Sequence, residues 1–273
     1  MSKTSELISK SALLSKVAIK TGNELHINGN ECNIANVHFR NNKVALKGKE
    51  NRLDCAESSY FRDSSILING NACSVTVKAG TAVYGNNSQC VYMGGNNNEI
   101  EIGTDSSITN SSFFINGSFN RVIVGNKCRM METKIHIEGN HNLVIIGDEC
   151  SFHGRTPYPT TLFCDEGTSI TVGNDCMFAH GIRIRPTDSH CIVDLKGNRL
   201  NTPENIEIGE HCWIGLDAVL LKGTHIPAHS VVAARAVCTK KYTEEHCIIA
   251  GNPGRIVKHD IDWVRDLPKI SEE

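Results

Sequence analysis

A short unit repeated along the chain constrains the fold more than any other feature of the sequence. The unit reads Gly, then Asn, Asp or Glu, then any residue, then Cys. It occurs at Gly29–Cys32, Gly70–Cys73, Gly125–Cys128, Gly147–Cys150, Gly173–Cys176 and Gly209–Cys212. The two best-matched copies of the surrounding segment, 114–125 and 136–147, lie 22 residues apart. Such a period predicts one small structural unit per copy, stacked on its neighbours.

Each copy reads as a short alternating strand, a Gly/Asn turn, a second strand and another turn. One unit cannot bury its apolar face alone, whereas stacked units can. On this interpretation the repeated cysteines form an inward column, and Asn and Gly take left-handed backbone geometry at the corners. The repeat predicts an all-β solenoid, with a right-handed β-helix or a propeller as alternatives. A period of 22 residues is short for a propeller blade.

Composition excludes several function classes. The formal net charge of the 273 residues is −2, so we expect no general attraction to nucleic acid or to an anionic membrane. The sequence has no apolar run of about 18 residues or more, so we expect no membrane span. The 12 cysteines contain no Cys-x-x-Cys pair, and we find no signal peptide near the N-terminus. These features favour reduced, buried thiols, no metal site and a cytoplasmic protein.

The repeat also suggests how the chain is organised. We expect an N-terminal cap segment over 1–22, a β-helix over 23–257 with a loop insertion at about 187–203, and a C-terminal helix or tail over 258–273. Arg155–Thr161 contains Pro157 and Pro159 and is expected to interrupt the stack. His259–Leu267 is a candidate terminal helix that would cover the open end of the solenoid.

The last 100 or so residues carry a set of more specific motifs. They are Asp188-Ser-His190, Asn198-Arg199-Leu-Asn201, Trp213-Ile-Gly215, Leu221-Lys-Gly223, Thr239-Lys240 and Ala250-Gly-Asn-Pro253. In this order they resemble the hexapeptide-repeat acyltransferases, and closely the branch that O-acetylates bacterial capsules, lipopolysaccharides and other surface polysaccharides. The resemblance implies a left-handed parallel β-helix, a homotrimer, a carbohydrate acceptor and acetyl-CoA bound between subunits. The 22-residue period exceeds the family's coil of three six-residue faces, so we expect extended corners in the N-terminal coils.

Transfer from a thioester to a sugar hydroxyl needs a base and a donor to the developing oxyanion. By the resemblance, His190 is the general base and the backbone N–H groups near Gly215 and Leu216 are oxyanion donors. Asp188 and Asp194 flank His190 and would orient it or bind the acceptor; each is equally well explained as a solvated loop carboxylate. Further acceptor-binding candidates are Asp165, Glu166, Arg199 and Asn201. Arg199 and Asn201 would alternatively fix the insertion loop.

The phosphates of CoA call for cations and backbone N–H groups. By the same resemblance, the CoA-binding residues are Trp213, Leu216, Lys222, Ala233, Ala234, Thr239, Lys240, Gly251, Pro253 and Arg255, with Lys241 as a weaker candidate. Trp213 is also a candidate for the catalytic site. The chain reads Ala233-Ala-Arg-Ala236 where the family often has Gly-Ala-Gly-Ser. Arg235 would therefore bind phosphate, obstruct the CoA groove or point outward.

Three other functions compete with this one. A γ-class carbonic anhydrase would place histidines such as His180, His190 and His211 on zinc, but the spacing of that family's ligands does not match. A non-catalytic scaffold would not need the insertion that carries His190. An acetyltransferase for an amino sugar, nucleotide sugar, amino acid or antibiotic is the more serious alternative. We expect direct transfer in a ternary complex, with no cysteine acting as a nucleophile.

Overall fold

Strands of two to six residues wind the chain into a three-sided coil. The computed structural model describes residues 23–34, 37–85 and 89–266. Every strand pairs in parallel with its equivalent one turn later, except for an antiparallel pair at the C-terminal end. The result is a left-handed β-helix of about ten turns, which confirms the predicted fold class. The expected N-terminal cap, 1–22, lies outside the described residues.

The strands form three flat sheets, one for each side of the coil. Sheet I contains β1 (Glu24–His26), β4 (Lys43–Lys47), β7 (Ser65–Asn69), β10 (Gln89–Gly94), β13 (Ser112–Asn116), β16 (Thr133–Glu138), β19 (Thr160–Cys164), β22 (Arg183–Arg185), β25 (Val219–Leu221) and β28 (Val237–Cys238). Sheet II contains β2 (Glu31–Asn33), β5 (Arg52–Cys55), β8 (Ser74–Val77), β11 (Glu99–Ile102), β14 (Arg121–Val124), β17 (Leu143–Ile146), β20 (Ser169–Val172), β23 (Ile206–Ile208) and β26 (His225–Ile226). Sheet III contains β3 (His38–Arg40), β6 (Tyr60–Arg62), β9 (Ala82–Tyr84), β12 (Ser107–Thr109), β15 (Arg129–Met131), β18 (Ser151–His153), β21 (Met177–Phe178), β24 (Trp213–Ile214), β27 (Val231–Val232), β29 (Ile248–Ala250) and β30 (Arg255–Lys258).

Alternating side chains fill the interior of the coil. In β13, Phe113 and Ile115 are buried, while Phe114 between them faces outward and is half-buried. Like residues stack on like along the axis, as in the register Val122 to Val144 to Ile170. Burying one such side chain contributes about 1.5–3 kcal/mol, so the stack is the main source of stability.

The coils shorten toward the C-terminus. Ser112 pairs with Lys134, 22 positions later, whereas Val219 pairs with Val237, 18 positions later. The difference lies mainly at the corner between sheets I and II, which is the extended corner expected from the repeat. Buried asparagines line that corner in the longer coils, where Asn120 donates to the Gly139 carbonyl and bonds to its neighbours Asn98 and Asn142.

The cysteine column is shorter than the repeat predicts. Only Cys128, Cys150, Cys176 and Cys212 stack on one another, each donating its thiol to a carbonyl at 3.1 Å in the coil that follows it. Cys32 instead lies within β2, and Cys73 lies at the corner between sheets I and II. The sequence matches the motif at these two sites, but there the motif lies at the corner between sheets I and II. The four stacked cysteines lie at the corner between sheets II and III. All twelve cysteines are unpaired.

Two expectations about irregular segments need correction. The proline-containing segment does not interrupt the stack, because β16 still pairs with β19 and β18 with β21. Residues 154–159 instead form a loop that projects outward from the coil. Backbone hydrogen bonds between Arg155 and Tyr158 close this loop.

The helix expected over His259–Leu267 is not formed by residues 259–266, which run as an irregular tail along the corner between sheets II and III. The Trp263 indole donates to the His211 carbonyl at 2.8 Å, and Arg265 bonds to Asp175 and Ser151, so the tail is held by specific polar contacts. The described part of the chain has no helix that is long and apolar enough to cross a membrane.

Candidate functional site

The predicted insertion leaves the coil where β22 ends and returns at β23, so it projects from the corner between sheets I and II. Asn201, which is buried, ties the loop together. Its amide nitrogen donates to the His190 carbonyl and to the Asp188 carboxylate, both at 2.7 Å. Its amide oxygen accepts the Ile192 N–H at 2.6 Å. One side chain therefore fixes the backbone on both sides of His190.

His190 itself is exposed at the surface of this loop. Within the described ranges, its imidazole makes no hydrogen bond and no ion pair. An imidazole with both nitrogens open can accept a proton from a hydroxyl placed beside it. The preceding residue, Ser189, has a φ of 59°, a left-handed conformation that turns the chain sharply at this point.

Charged neighbours from adjacent coils brace the same loop. Lys222 donates to the Asp188 carboxylate at 2.5 Å. This ammonium and the Asn201 amide hold the pKa of Asp188 below its usual range. Both Asp188 and Lys222 are therefore engaged in holding the loop.

Asp165 and Glu166, at the same corner one coil earlier, also contact the insertion. Asp165 is buried and accepts hydrogen bonds from the hydroxyls of Thr187 and Ser189. Glu166 receives both terminal nitrogens of Arg199 in a bidentate pair, and this contact lowers the pKa of Glu166. The structure thus brings the predicted residues Asp165, Glu166 and Arg199 together around the His190 loop.

Asp194 lies at the tip of the insertion. Its carboxylate accepts the backbone N–H of Lys196 at 2.8 Å and of Asn198 at 2.9 Å. It therefore closes its own turn, which is a structural use of this residue.

The remaining predicted residues lie mainly at a different corner, between sheets III and I. Leu216, Ala233, Ala234, Gly251 and Pro253 are at this corner in successive coils. A Cβ at Gly215 would lie 2.7 Å from the Ala234 nitrogen, so only glycine allows these coils to pack. The Gly215 N–H already donates to the Val232 carbonyl, so it is not free as an oxyanion donor. In the part of the chain that the structure describes, the Leu216 N–H has no such partner.

Cations and an indole surround these two corners. Lys240 follows Thr239 at the corner between sheets I and II, where its ammonium lies 5.2 Å from the Tyr242 ring centre. Arg255 is exposed at the start of β30, and Trp213 is exposed on sheet III. Arg235 points outward, with its side chain 80% exposed and 3.5 Å from Asp217.

One chain therefore holds the predicted residues in two groups. The His190 loop lies at one edge of sheet I, and the small residues with the Leu216 N–H lie at the other. The three residues of β25 separate them, which is about 10 Å at the usual rise per strand residue.

Sequence reasoning missed the groove between these edges. It has a volume of about 240 Å³, and its floor is formed by outward side chains of sheet I, including Phe163, Arg183 and Arg185. The displaced proline segment with Tyr158 forms one wall. The Arg185 guanidinium lies 4.7 Å from the centre of the Phe163 ring and donates to Ser189 beside His190. The alternation of β19 and β22 could have indicated that these side chains share a face.

Potential metal ligands lie elsewhere. Ligand atoms of His211, His229 and Asp262 fall within 4.8 Å of one another at the corner between sheets II and III. His211 there is already placed between the Asp175 carboxylate at 2.6 Å and the Trp263 carbonyl at 3.0 Å. His180, His190 and His211 lie at three different corners, so they do not converge within one chain.

Comparisons with known proteins give related findings. No family model matches the chain. The chain is 36% identical over 103 residues to a polysialic acid O-acetyltransferase of Neisseria meningitidis, and 32% identical over 98 residues to one of Escherichia coli O1:K1. These matches cover 37% and 36% of this chain, but only 48% and 32% of the relatives' own lengths.

A solved structure matches more of the chain. The crystal structure of the polysialic acid O-acetyltransferase OatWY aligns with 89% of this chain and 94% of its own, at 25% identity and a TM-score of 0.65. The fold of this chain is thus similar to that of a polysialic acid O-acetyltransferase.

Proposed function

We propose that this chain is a hexapeptide-repeat acyltransferase of the polysaccharide O-acetyltransferase branch, and that it transfers acetyl from acetyl-CoA to a hydroxyl of an acidic bacterial surface polysaccharide. The observation that carries this proposal is the His190 loop. A whole insertion is braced by Asn201, Asp188 and Lys222. It presents one open imidazole at the edge of a groove.

His190 is the proposed general base. It takes the proton of the acceptor hydroxyl while that oxygen bonds to the thioester carbonyl carbon. The carbon–sulfur bond then breaks, and the imidazolium returns the proton to the leaving thiolate. Such a base contributes about 10²–10⁴-fold to the rate. Asp188 acts as a positioning residue, since its carboxylate is engaged by Lys222 and Asn201.

We place the CoA arm along the corner between sheets III and I. Ala233, Ala234 and Gly251 offer no bulky side chain there, and the Leu216 N–H is the remaining candidate donor to the developing oxyanion. Lys240 and Arg255 are proposed to bind the CoA phosphates. These residues fit a long, narrow and anionic co-substrate.

A second copy of the chain completes the site in this proposal. His190 and Leu216 lie at opposite edges of sheet I, so one chain cannot bring both to one thioester. A homotrimer would place the His190 edge of one subunit against the Leu216 edge of the next, which is a heterologous contact that closes into a ring. We further propose that the enzyme is cytoplasmic, where acetyl-CoA is available and its unpaired thiols remain reduced.

The test is thiol release from acetyl-CoA with polysialic acid, other bacterial polysaccharides and simple sugars as acceptors. We expect acceptor-dependent release, and a loss of about 10²–10⁴-fold in kcat for His190→Ala. His26→Ala, which changes an exposed histidine in the first coil, is the matched control and should retain full activity.

The adjacent exposed thiol provides a second control. Cys191→Ser should remain active, because direct transfer forms no bond to sulfur. An acetyl group trapped on Cys191, or wild-type activity in His190→Ala, would contradict the mechanism.

A further inference from the structure

A column of aromatic rings runs along the outer face of sheet I and ends at the groove. Tyr92 stacks on Phe114 at 4.8 Å between ring centres, and Phe114 lies 4.6 Å from His136. His136 stacks on Phe163 at 4.9 Å, and the Arg185 guanidinium covers Phe163 at 4.7 Å. We call these five side chains the sheet I ladder.

The ladder occupies five successive coils, of which the last carries the His190 loop. Below Tyr92 the same column continues with Leu67 and Ala45, and above Arg185 it continues with Leu221. The four rings are half-buried, and because they stack on one another, it is their edges that remain open to solvent. Packing alone does not require aromatic residues here, since the equivalent coils of sheet II present Ile123 and Ile145 on their outer face.

Positive charge accompanies the rings. Lys134 and Arg183 lie in the adjacent outward column and are exposed. Neither forms an ion pair with any described residue. The Nε atom of Arg185 is buried and has no hydrogen-bond partner in the same part of the chain. One carboxylate contacts the ladder: Glu138 is engaged by Asn116 and by His136, one of the four rings.

We propose that the sheet I ladder is a track for the acceptor, on which an acidic polysaccharide lies along the solenoid axis with one residue at His190. This inference rests on the proposed function and adds that the acceptor is a polymer. Stacking covers the faces of the inner rings, so the C–H groups of the sugar chain pack against the open ring edges. The unpaired cations attract its carboxylates. The rings repeat at about 4.8 Å, the spacing of parallel strands, which is comparable with the length of one sugar residue in an extended glycan.

Arg185 connects the track to the reacting end. Its guanidinium contacts Phe163 on one side and donates to Ser189 at 2.7 Å on the other. Ser189 is adjacent to His190, so a chain lying over Phe163 is guided into the groove beside the base. The track therefore determines affinity for long acceptors, while His190 determines the rate of transfer.

The experiment compares short oligomers with long chains of size-fractionated polysialic acid. The test variant is Tyr92→Ala/Phe114→Ala, which removes the two rings farthest from His190. The matched control is Ile123→Ala/Ile145→Ala, which truncates two half-buried outward side chains on sheet II. Light scattering reports the oligomeric state of each protein.

We expect the ladder variant to raise KM for long chains by about tenfold while kcat and the KM for short oligomers stay unchanged. Added salt should raise the wild-type KM for long chains more than for short ones. The control should match the wild type at both lengths.

Equal KM values for long chains in the ladder variant and the control would overturn the track. If light scattering shows that only the ladder variant separates into single subunits, the track is also overturned. That result would mean that a second copy of the chain covers the rings. If the wild type transfers acetyl to neither length, the proposed function itself fails. Normal transfer by the wild type without any length dependence removes only the track.

Discussion

Asn201 shows how a single amide can organise a catalytic loop. It is buried, donates both amide protons, to a backbone carbonyl and a carboxylate, and accepts a backbone N–H with its oxygen. None of these partners is a reacting group. The residue acts by fixing where His190 points, which matters because small displacements of a base lower the rate steeply.

We expect Asn201→Ala to lower kcat by about 10–100-fold while leaving KM for acetyl-CoA unchanged, since the CoA corner is remote from it. The measurement is steady-state kinetics with acetyl-CoA and the acceptor varied in turn, with Asn96→Ala as the amide control in a distant coil. A large increase in KM for acetyl-CoA would refute this positioning role.

At the scale of elements, the corner between sheets I and II carries the difference between long and short coils. Between equivalent positions, the long coil advances 11 positions from Ser112 to Ile123, and the short coil advances 6 from Val219 to His225. The buried Asn120 provides the hydrogen bonds that a longer corner needs. Each asparagine serves both its own coil and the next, so the corner is stable only as a stack.

Asn120→Ala should lower the free energy of unfolding by about 2–4 kcal/mol. It leaves the Gly139 carbonyl and the buried Asn142 N–H without their partner, and each such loss costs about 1–3 kcal/mol. Asn116→Ala, exposed on the same coil, should cost less than about 0.5 kcal/mol. Chemical denaturation compares the two, and equal midpoints would show that the asparagine corner contributes little.

The C-terminal tail should respond to pH through His211. Burial opposes ionisation, but the contacts with Asp175 and the Trp263 carbonyl raise the pKa of His211 overall. Its stabilising effect is complete below the usual histidine pKa and is lost as the pH rises through the raised value. Burial alone would raise the pKa of Asp175. The hydrogen bonds from Arg265 and His211 outweigh burial, so the pKa of Asp175 is lowered. That contribution is lost only as the pH falls through the lowered value.

We therefore expect the tail to be held most firmly at about pH 5.5, between the usual pKa values of the two groups. The difference in melting temperature between the wild type and His211→Asn should be larger at about pH 5.5 than at about pH 8.5. A difference that is the same at both pH values, or larger at the higher one, would show that the ionised pair does not hold the tail.

The sequence predicted repeating elements better than it predicted their exceptions. Alternation and the 22-residue period led to the coil, and the insertion at 187–203 was found because it breaks them. The single cysteine column was wrong at Cys32 and Cys73, since four matching letters do not identify which corner they occupy. The groove and the sheet I ladder were missed because Tyr92, Phe114, His136 and Phe163 follow one another at intervals of 22 to 27 residues and become neighbours only through strand register.

At the scale of the whole molecule, the two edges of sheet I contribute different parts of the proposed site: His190 lies at one edge and the CoA corner at the other. This arrangement predicts that two inactive variants can complement each other in a mixed trimer. His190→Ala lacks the base, and Ala234→Trp fills the exposed CoA corner. Sites that draw His190 from one variant and the open corner from the other are complete.

Random mixing of the two variants should restore about a quarter of wild-type activity, while each variant alone stays inactive. Co-expression followed by an assay of purified trimers tests this outcome. No recovery from verified mixed trimers would mean that His190 and the CoA corner of the same chain serve one site.

The regular stacking of the coils has a consequence for how such a protein changes in evolution. One coil is one rung of the ladder, and it can be duplicated or deleted as a unit while β22 and the His190 loop stay as they are. Gaining a coil would lengthen the surface by about 4.8 Å. The number of coils before the insertion would then set the length of the shortest glycan that contacts the whole ladder.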